Sequence, residues 1–308
     1  MPRRRAECSS RYAGVGLSRD DGVVGAITRW YRQHARVLPW RAPDVDGWAV
    51  LVSEVMLQQT PVSRVLPAWE AWLAKWPTPA AMAAATPGDA VVMWGRLGYP
   101  RRALRLREAA VAVVERHGGL VPATIPELRA LPGVGEYTAA AVASFAHRQR
   151  HVVLDTNVRR VIERILGGTE LPPNSLNRAE RARAEALLPE DPDAAATWNV
   201  AAMELGALVC TSTNPRCELC PVAGDCAWLA AGKPTGDVPR KGQAYAGTDR
   251  QVRGRLLAVV RDAAPEPVTA AALDACWDDA TQRGRALDSL LADGLVQRAG
   301  PDAYALPN

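Results

Sequence analysis

Leu131-Pro-Gly-Val-Gly-Glu-Tyr-Thr-Ala-Ala-Ala141 decides how the chain folds. Gly133 and Gly135 allow a tight turn, a helix of small residues grows out of it, and a short helical stretch, Pro126–Ala130, comes before it. Two helices joined in this way form a helix–hairpin–helix. The N–H groups of the hairpin face outward at a helix N-terminus and can receive a phosphate without reading its base. A lone Gly-Val-Gly means little, because any tight turn uses glycine. The flanking helices and the preceding Leu-Pro give the pattern its content. Tyr137, two residues past the second glycine, either reaches into a cleft or packs in the core; taken alone, packing is the simpler reading.

Outward from the hairpin, helical periodicity begins near Val23 and continues, punctuated by proline and glycine, to about residue 228. Strand-like alternation is nearly absent, so this region reads as all-α. Residues 1–20 read as a flexible basic arm, 21–150 as an N-terminal helix and a helical barrel carrying the hairpin (126–146), and 151–228 as a second lobe. A polar linker, 229–250, leads to a small unit at 251–308. There, helices near 251–262, 269–275 and 282–292 precede a hairpin turning at Gly300-Pro301, a winged-helix-like order that serves either DNA binding or protein docking.

Of the 308 residues, 48% are hydrophobic and 23% charged, enough for a packed core and unlike a disordered scaffold. Phenylalanine occurs once, and ten tryptophans supply most of the aromatic bulk. Residues 231–308 balance ten basic against ten acidic side chains, so residues 1–230 carry the whole net charge of +4. Such a surplus fits a nucleic-acid binder and fits plain surface solvation equally well. No apolar run approaches the ~20 residues of a membrane span, and no signal-like apolar stretch follows Met-Pro-Arg-Arg-Arg. A reducing, cytoplasmic setting near the nucleoid is expected, with Cys8 and Cys276 as structural or incidental thiols.

Cys210, Cys217, Cys220 and Cys226 follow the pattern C-x6-C-x2-C-x5-C. One tight pair with two outlying thiols lets a single loop wrap one metal centre. Zinc sites more often use two close pairs, which favours iron–sulfur without excluding zinc. The intervening Thr-Ser-Thr-Asn-Pro-Arg216 is polar and turn-forming, a surface suited to phosphate.

Two carboxylates could carry chemistry. Glu54 lies among Val52, Val55, Met56 and Leu57 on a helix expected to stop at Thr60, a cap, with Pro61 opening the next helix. Desolvation there would raise its pKa and make it a proton donor near neutral pH; a place on the wet edge of the helix is the alternative. Gln58 and Gln59 suit base or backbone contacts, or ordinary surface. Asp155, ending Val152-Val-Leu-Asp155, precedes a basic helix that it can cap. A capped carboxylate is expected to stay ionised. A protonated and an ionised carboxyl would supply the acid and the counter-charge that cleave a glycosidic C–N bond.

Taken together, these stretches resemble the helix–hairpin–helix DNA glycosylases that carry a [4Fe–4S] cluster, and within them the adenine-specific, MutY-type branch. The resemblance covers roughly residues 23–228 through Leu38-Pro-Trp-Arg41, Ser53-Glu-Val-Met-Leu-Gln-Gln-Thr60, Gly95-Arg-Leu-Gly-Tyr99, the hairpin, Leu154-Asp-Thr-Asn157, Glu204-Leu-Gly-Ala-Leu-Val-Cys210 and the cysteine array. It implies two helical lobes with double-stranded DNA between them and a mispaired adenine flipped out of the helix. Glu54 would protonate the base, Asp155 would stabilise the sugar cation, and Tyr137 and Asn157 would orient that pair. Trp40 and Arg41 would line the adenine pocket, Gln59 and Tyr99 would wedge into the stack, and the cluster loop with Arg216 would face the phosphates. A monomer is expected, with a protein partner for the C-terminal unit left open.

Tyr137 stands where the endonuclease III branch has an imine-forming lysine, so base removal without efficient strand cleavage is expected. A bifunctional glycosylase of oxidised pyrimidines and a non-catalytic iron–sulfur DNA-binding protein are the alternatives. The sequence departs from the family twice. Thr156 replaces the usual glycine between Asp155 and Asn157, and residues 229–308 do not read as the domain resembling nucleotide-triphosphate hydrolases that the family usually carries there.

Overall fold

The computed structural model describes residues 22–236 and 245–308. The expected basic arm, Cys8 and the middle of the expected linker lie outside the described residues. Among the described residues, 22–36 and 152–236 form one compact unit, and 37–151 and 245–308 form the other.

In the larger unit, helices α2 (Gly47–Leu57), α3 (Val62–Lys75), α4 (Pro79–Ala83), α5 (Pro87–Trp94), α6 (Arg101–His117), α7 (Ile125–Arg129) and α8 (Glu136–Phe145) enclose a core. Their starts follow simple capping chemistry. Asp46, Thr78, Thr86 and Thr124 each accept a bond from a backbone N–H three residues on. Helix α2 runs through the middle, and every residue from Trp48 to Met56 is buried. Tryptophans do the filling that phenylalanine usually does. Trp72 meets Trp76 and Trp94 edge-on, with ring centres 4.7 and 5.7 Å apart. Two other indoles find backbone carbonyls: Trp48 Nε1 donates to Trp76 O at 3.0 Å and Trp69 Nε1 to Ala49 O at 2.9 Å.

Residues 245–308 pack onto this barrel. Helices α13 (Asp249–Ala263), α14 (Ala270–Asp274) and α15 (Ala280–Ala292) cover a three-stranded antiparallel sheet of order β1-β3-β2, from β1 (Val268–Thr269), β2 (Gln297–Gly300) and β3 (Ala303–Ala305). Val91 of α5 belongs to the same apolar cluster as Leu256, Val260, Leu290 and Leu306. Gly88 N–H donates to Pro307 O at 2.7 Å, Arg261 Nη1 donates to Gly95 O at 2.5 Å, and Arg101 pairs with Asp293 at 3.2 Å.

The smaller unit joins α1 (Val23–His34) to α9 (Thr156–Ile162), a π-helical turn (Glu163–Gly167), α10 (Arg178–Leu187), α11 (Pro192–Leu208) and α12 (Ala227–Ala230). Arg36, just past α1, grips the fully buried Glu204 of α11 through its backbone N–H, Nε and Nη2, at 3.0, 2.7 and 2.8 Å. That charged pair explains why the N-terminal helix belongs with residues far along the chain. Among the described residues no helix is long and apolar enough to cross a membrane.

Candidate active site and cluster loop

Glu54 sits on α2 with only 6% of its surface exposed, so the wet-edge alternative does not hold. Thr60 caps neither α2, whose C-cap is Gln58, nor α3. Its buried hydroxyl bonds Gln58 O and Leu97 O, at 3.2 and 3.3 Å, and Pro61 occupies the N-cap position. The reason is tertiary: the hydroxyl ties one turn to another instead of serving its own helix.

Past α2 the chain turns through Gln59, and past α5 through Tyr99. Both are non-glycine residues in the left-handed region, with φ of 55° and 47°, and both are exposed. This conformation costs about 1–2 kcal/mol per residue. Arg102, which the sequence reading passed over, holds both turns. Its Nη1 donates to the carbonyls of Val55, Met56 and Gln58 at 2.8, 3.2 and 2.6 Å, and its Nη2 to Thr60 Oγ1 and Gly98 O at 3.1 Å each. Burial pushes the guanidinium down to about 10, which still leaves it charged at neutral pH.

The hairpin between α7 and α8 turns at Gly133, φ 77°, where an added Cβ would lie 2.8 Å from Arg105 Cβ. Gly135 was expected to share that demand but has extended backbone, φ −89°, and is the N-cap of α8. Any residue could adopt that shape, although a bare glycine leaves the helix N-terminus open. Tyr137 is half-buried one residue into α8, and Thr138 accepts from Gln58 Nε2 at 3.4 Å. Trp40 is buried against Trp69, with ring centres 5.7 Å apart, and Arg41 follows it half-buried.

In the other unit, Asp155 caps α9, accepting from Val158 N at 2.6 Å and from Asn157 Nδ2 at 2.7 Å. Capping lowers its pKa as expected, but burial acts against it. Burial raises it above the ordinary value, and the bonds from Val158 and Asn157 and the charge of Arg160 offset this only in part. Thr156 is simply the first residue of α9, so no glycine is needed there. Gly206 is more restrictive: an added Cβ would lie 2.7 Å from Asn157 Cβ.

Arg160 was also missed. Its Nη2 donates to Asn157 Oδ1 and to Gly206 O, at 2.8 and 2.7 Å, and its Nε donates to Cys210 O at 2.8 Å. Arg164, one turn further, donates to Cys210 Sγ at 3.3 Å and lies 4.4 Å from the Trp228 ring centre. Both arginines sit on an otherwise apolar helix face, and that incongruity was the available signal. Arg216 is exposed, but its guanidinium donates back to Leu208 O.

Cys210, Cys217, Cys220 and Cys226 line one cavity with Val161, Leu205 and Trp228. A mononuclear zinc would need all four sulfurs within about 2.3 Å of one point, whereas a multi-iron cluster needs thiolates spread around a larger body. Burial pushes the Cys220 thiol up to about 11 and raises Cys210 as well. A cationic cluster core and the Arg164 guanidinium are the kind of charges that would hold such sulfurs as thiolates. The residues therefore fit an iron–sulfur cluster.

Comparison with known proteins agrees. Residues 52–186 match the HhH-GPD superfamily base excision DNA repair proteins, and residues 210–226 match the iron–sulfur binding domain of endonuclease III. Adenine DNA glycosylase of Mycobacterium tuberculosis H37Rv is 54% identical over 91% of this chain and 92% of its own length. That of Mycolicibacterium smegmatis is 52% identical over 91% and 94%, and the human protein is 43% identical over 72% and 42%. Among solved structures, a thermostable thymine-DNA glycosylase superposes with a TM-score of 0.61 at 28% identity, over 68% of this chain and 95% of that one. Endonuclease III in a non-covalent DNA complex gives 0.58 at 20% identity over 68% and 94%, a likeness of fold. The chain belongs to the adenine DNA glycosylase family, within the iron–sulfur helix–hairpin–helix superfamily of base excision repair proteins.

Proposed function

We propose that this protein is a monofunctional glycosylase, acting as a monomer, that hydrolyses the N-glycosidic bond of adenine mispaired with 8-oxoguanine or guanine in double-stranded DNA. The observation that carries this is Glu54, a carboxyl group held among buried residues in the middle of α2. Burial of that kind suits a group that must offer a proton at neutral pH.

Glu54 donates a proton to N7 of the extruded adenine, weakening the C–N bond, and then helps to activate the attacking water. Asp155 faces the positive charge that develops on the sugar, and Asn157 holds its carboxylate in place. Tyr137 orients the reacting groups and, lacking an amine, cannot form the imine that leads to strand cleavage. Gln59 and Tyr99 fill the gap left in the stack, Trp40 and Arg41 bound the base, and the hairpin at Gly133 and Gly135 and the loop ending at Arg216 take the phosphates. The iron–sulfur cluster, held by Cys210, Cys217, Cys220 and Cys226, supplies structural cross-linking of the loop.

The test is incubation with duplexes carrying adenine opposite 8-oxoguanine, guanine, cytosine or thymine. Adenine loss at the first two is expected; removal of a pyrimidine, or of no base at all, would overturn the proposal.

A further inference from the structure

The two left-handed turns raise a question that the catalytic residues leave unanswered. Gln59 and Tyr99 are 40 positions apart in sequence, exposed, and each held in backbone that L-residues disfavour. Left alone, both turns would relax. Arg102 prevents this from a half-buried site between them. One guanidinium nitrogen takes the carbonyls of Val55, Met56 and Gln58, the donorless end of α2; the other takes Thr60 Oγ1 and Gly98 O. Thr60 reaches on to Leu97 O, closing the link. The same guanidinium lies 5.5 Å from the Tyr99 ring centre and 5.1 Å from that of Trp94. A lysine could not make these contacts, because they need a planar fork with several donors.

We propose that Arg102 is a positioning residue for base extrusion: a single side chain locks the turns carrying Gln59 and Tyr99 so that they enter the duplex as one preformed wedge. This rests on the glycosylase reading above. A wedge that must first be ordered pays that entropy at every encounter, whereas a rigid one does not. The effect belongs to the extrusion step, before the C–N bond is touched.

Arg102→Lys, with charge kept and the fork lost, tests this under single-turnover conditions on two substrates. One is adenine opposite guanine in a continuous duplex; the other is adenine opposite an abasic site, where unstacking is easier. A loss of about tenfold or more is expected on the first and less than about threefold on the second. Fluorescence of 2-aminopurine at the adenine position is expected to rise less than with the unaltered protein. Adding Arg102→Lys to Gln59→Ala/Tyr99→Ala is expected to produce little further loss. Thr60→Val, which removes only the shared hydroxyl, gives a milder form of the same selectivity and serves if Arg102→Lys does not fold, as judged by its melting transition.

Equal losses on both substrates with a normal fluorescence response, additive losses in the combined variant, or no loss anywhere would overturn the proposal. The fluorescence change needs no turnover. A chain that unstacks 2-aminopurine through Arg102 yet releases no adenine would therefore contradict the function and leave this inference standing.

Discussion

Asn157 joins Asp155 to Arg160: its Nδ2 donates to Asp155 Oδ2 at 2.7 Å while its Oδ1 accepts from Arg160 Nη2 at 2.8 Å. One amide thus orients a carboxylate and is itself fixed, end for end, by a guanidinium. Removing it takes away one of the interactions that pull the raised Asp155 pKa back down. In Asn157→Ala that pKa rises further, so at any given pH less of the carboxyl is ionised. The acidic limb of the single-turnover pH profile is expected to move to higher pH, with a loss of about ten- to a hundredfold at pH 7. An unmoved limb would separate Asn157 from Asp155.

Glu54→Gln keeps the volume of the buried side chain and removes the proton donor. Excision is expected to fall by about a hundredfold or more, the range for lost general acid catalysis, with DNA affinity retained in a gel-shift titration. Turnover at the unaltered rate would remove Glu54 from the chemistry.

Gly88 lies where the C-terminal residues meet α5. A Cβ there would sit 2.7 Å from Pro307 O and 3.0 Å from Leu306 Cβ. Gly88→Val is expected to pry residues 306–307 from the barrel, costing about 1–3 kcal/mol, seen as a lower Tm and faster proteolysis after residue 245. An unchanged Tm would show that this contact contributes little.

The purified protein is expected to be brown with broad visible absorption, and Cys220→Ser to lose that colour together with thermal stability. A colourless protein holding zinc would contradict the cluster.

What could be read from the sequence was what chemistry fixes locally. The cysteine spacing, the glycine hairpin and a glutamate inside an apolar run each need particular residues within a few positions of one another. The helix start at Asp155 was legible for the same reason. Arg102 was not, because three of its five partners are main-chain carbonyls 44–47 residues away that any sequence would supply. Thr60 looked like a cap because capping is the local option, yet Leu97 O, 37 residues on, competed for its hydroxyl. The Asp155 cap was legible but its pKa was not, since burial depends on the whole unit. The two-residue strand β1 is too short to show a period.

The most direct measurement follows one duplex, adenine opposite 8-oxoguanine, for two products at once: free adenine and broken strand. The account predicts stoichiometric adenine with the strand intact until alkali is added. Strand breaks that keep pace with base release before alkali, or breaks without adenine, would contradict it.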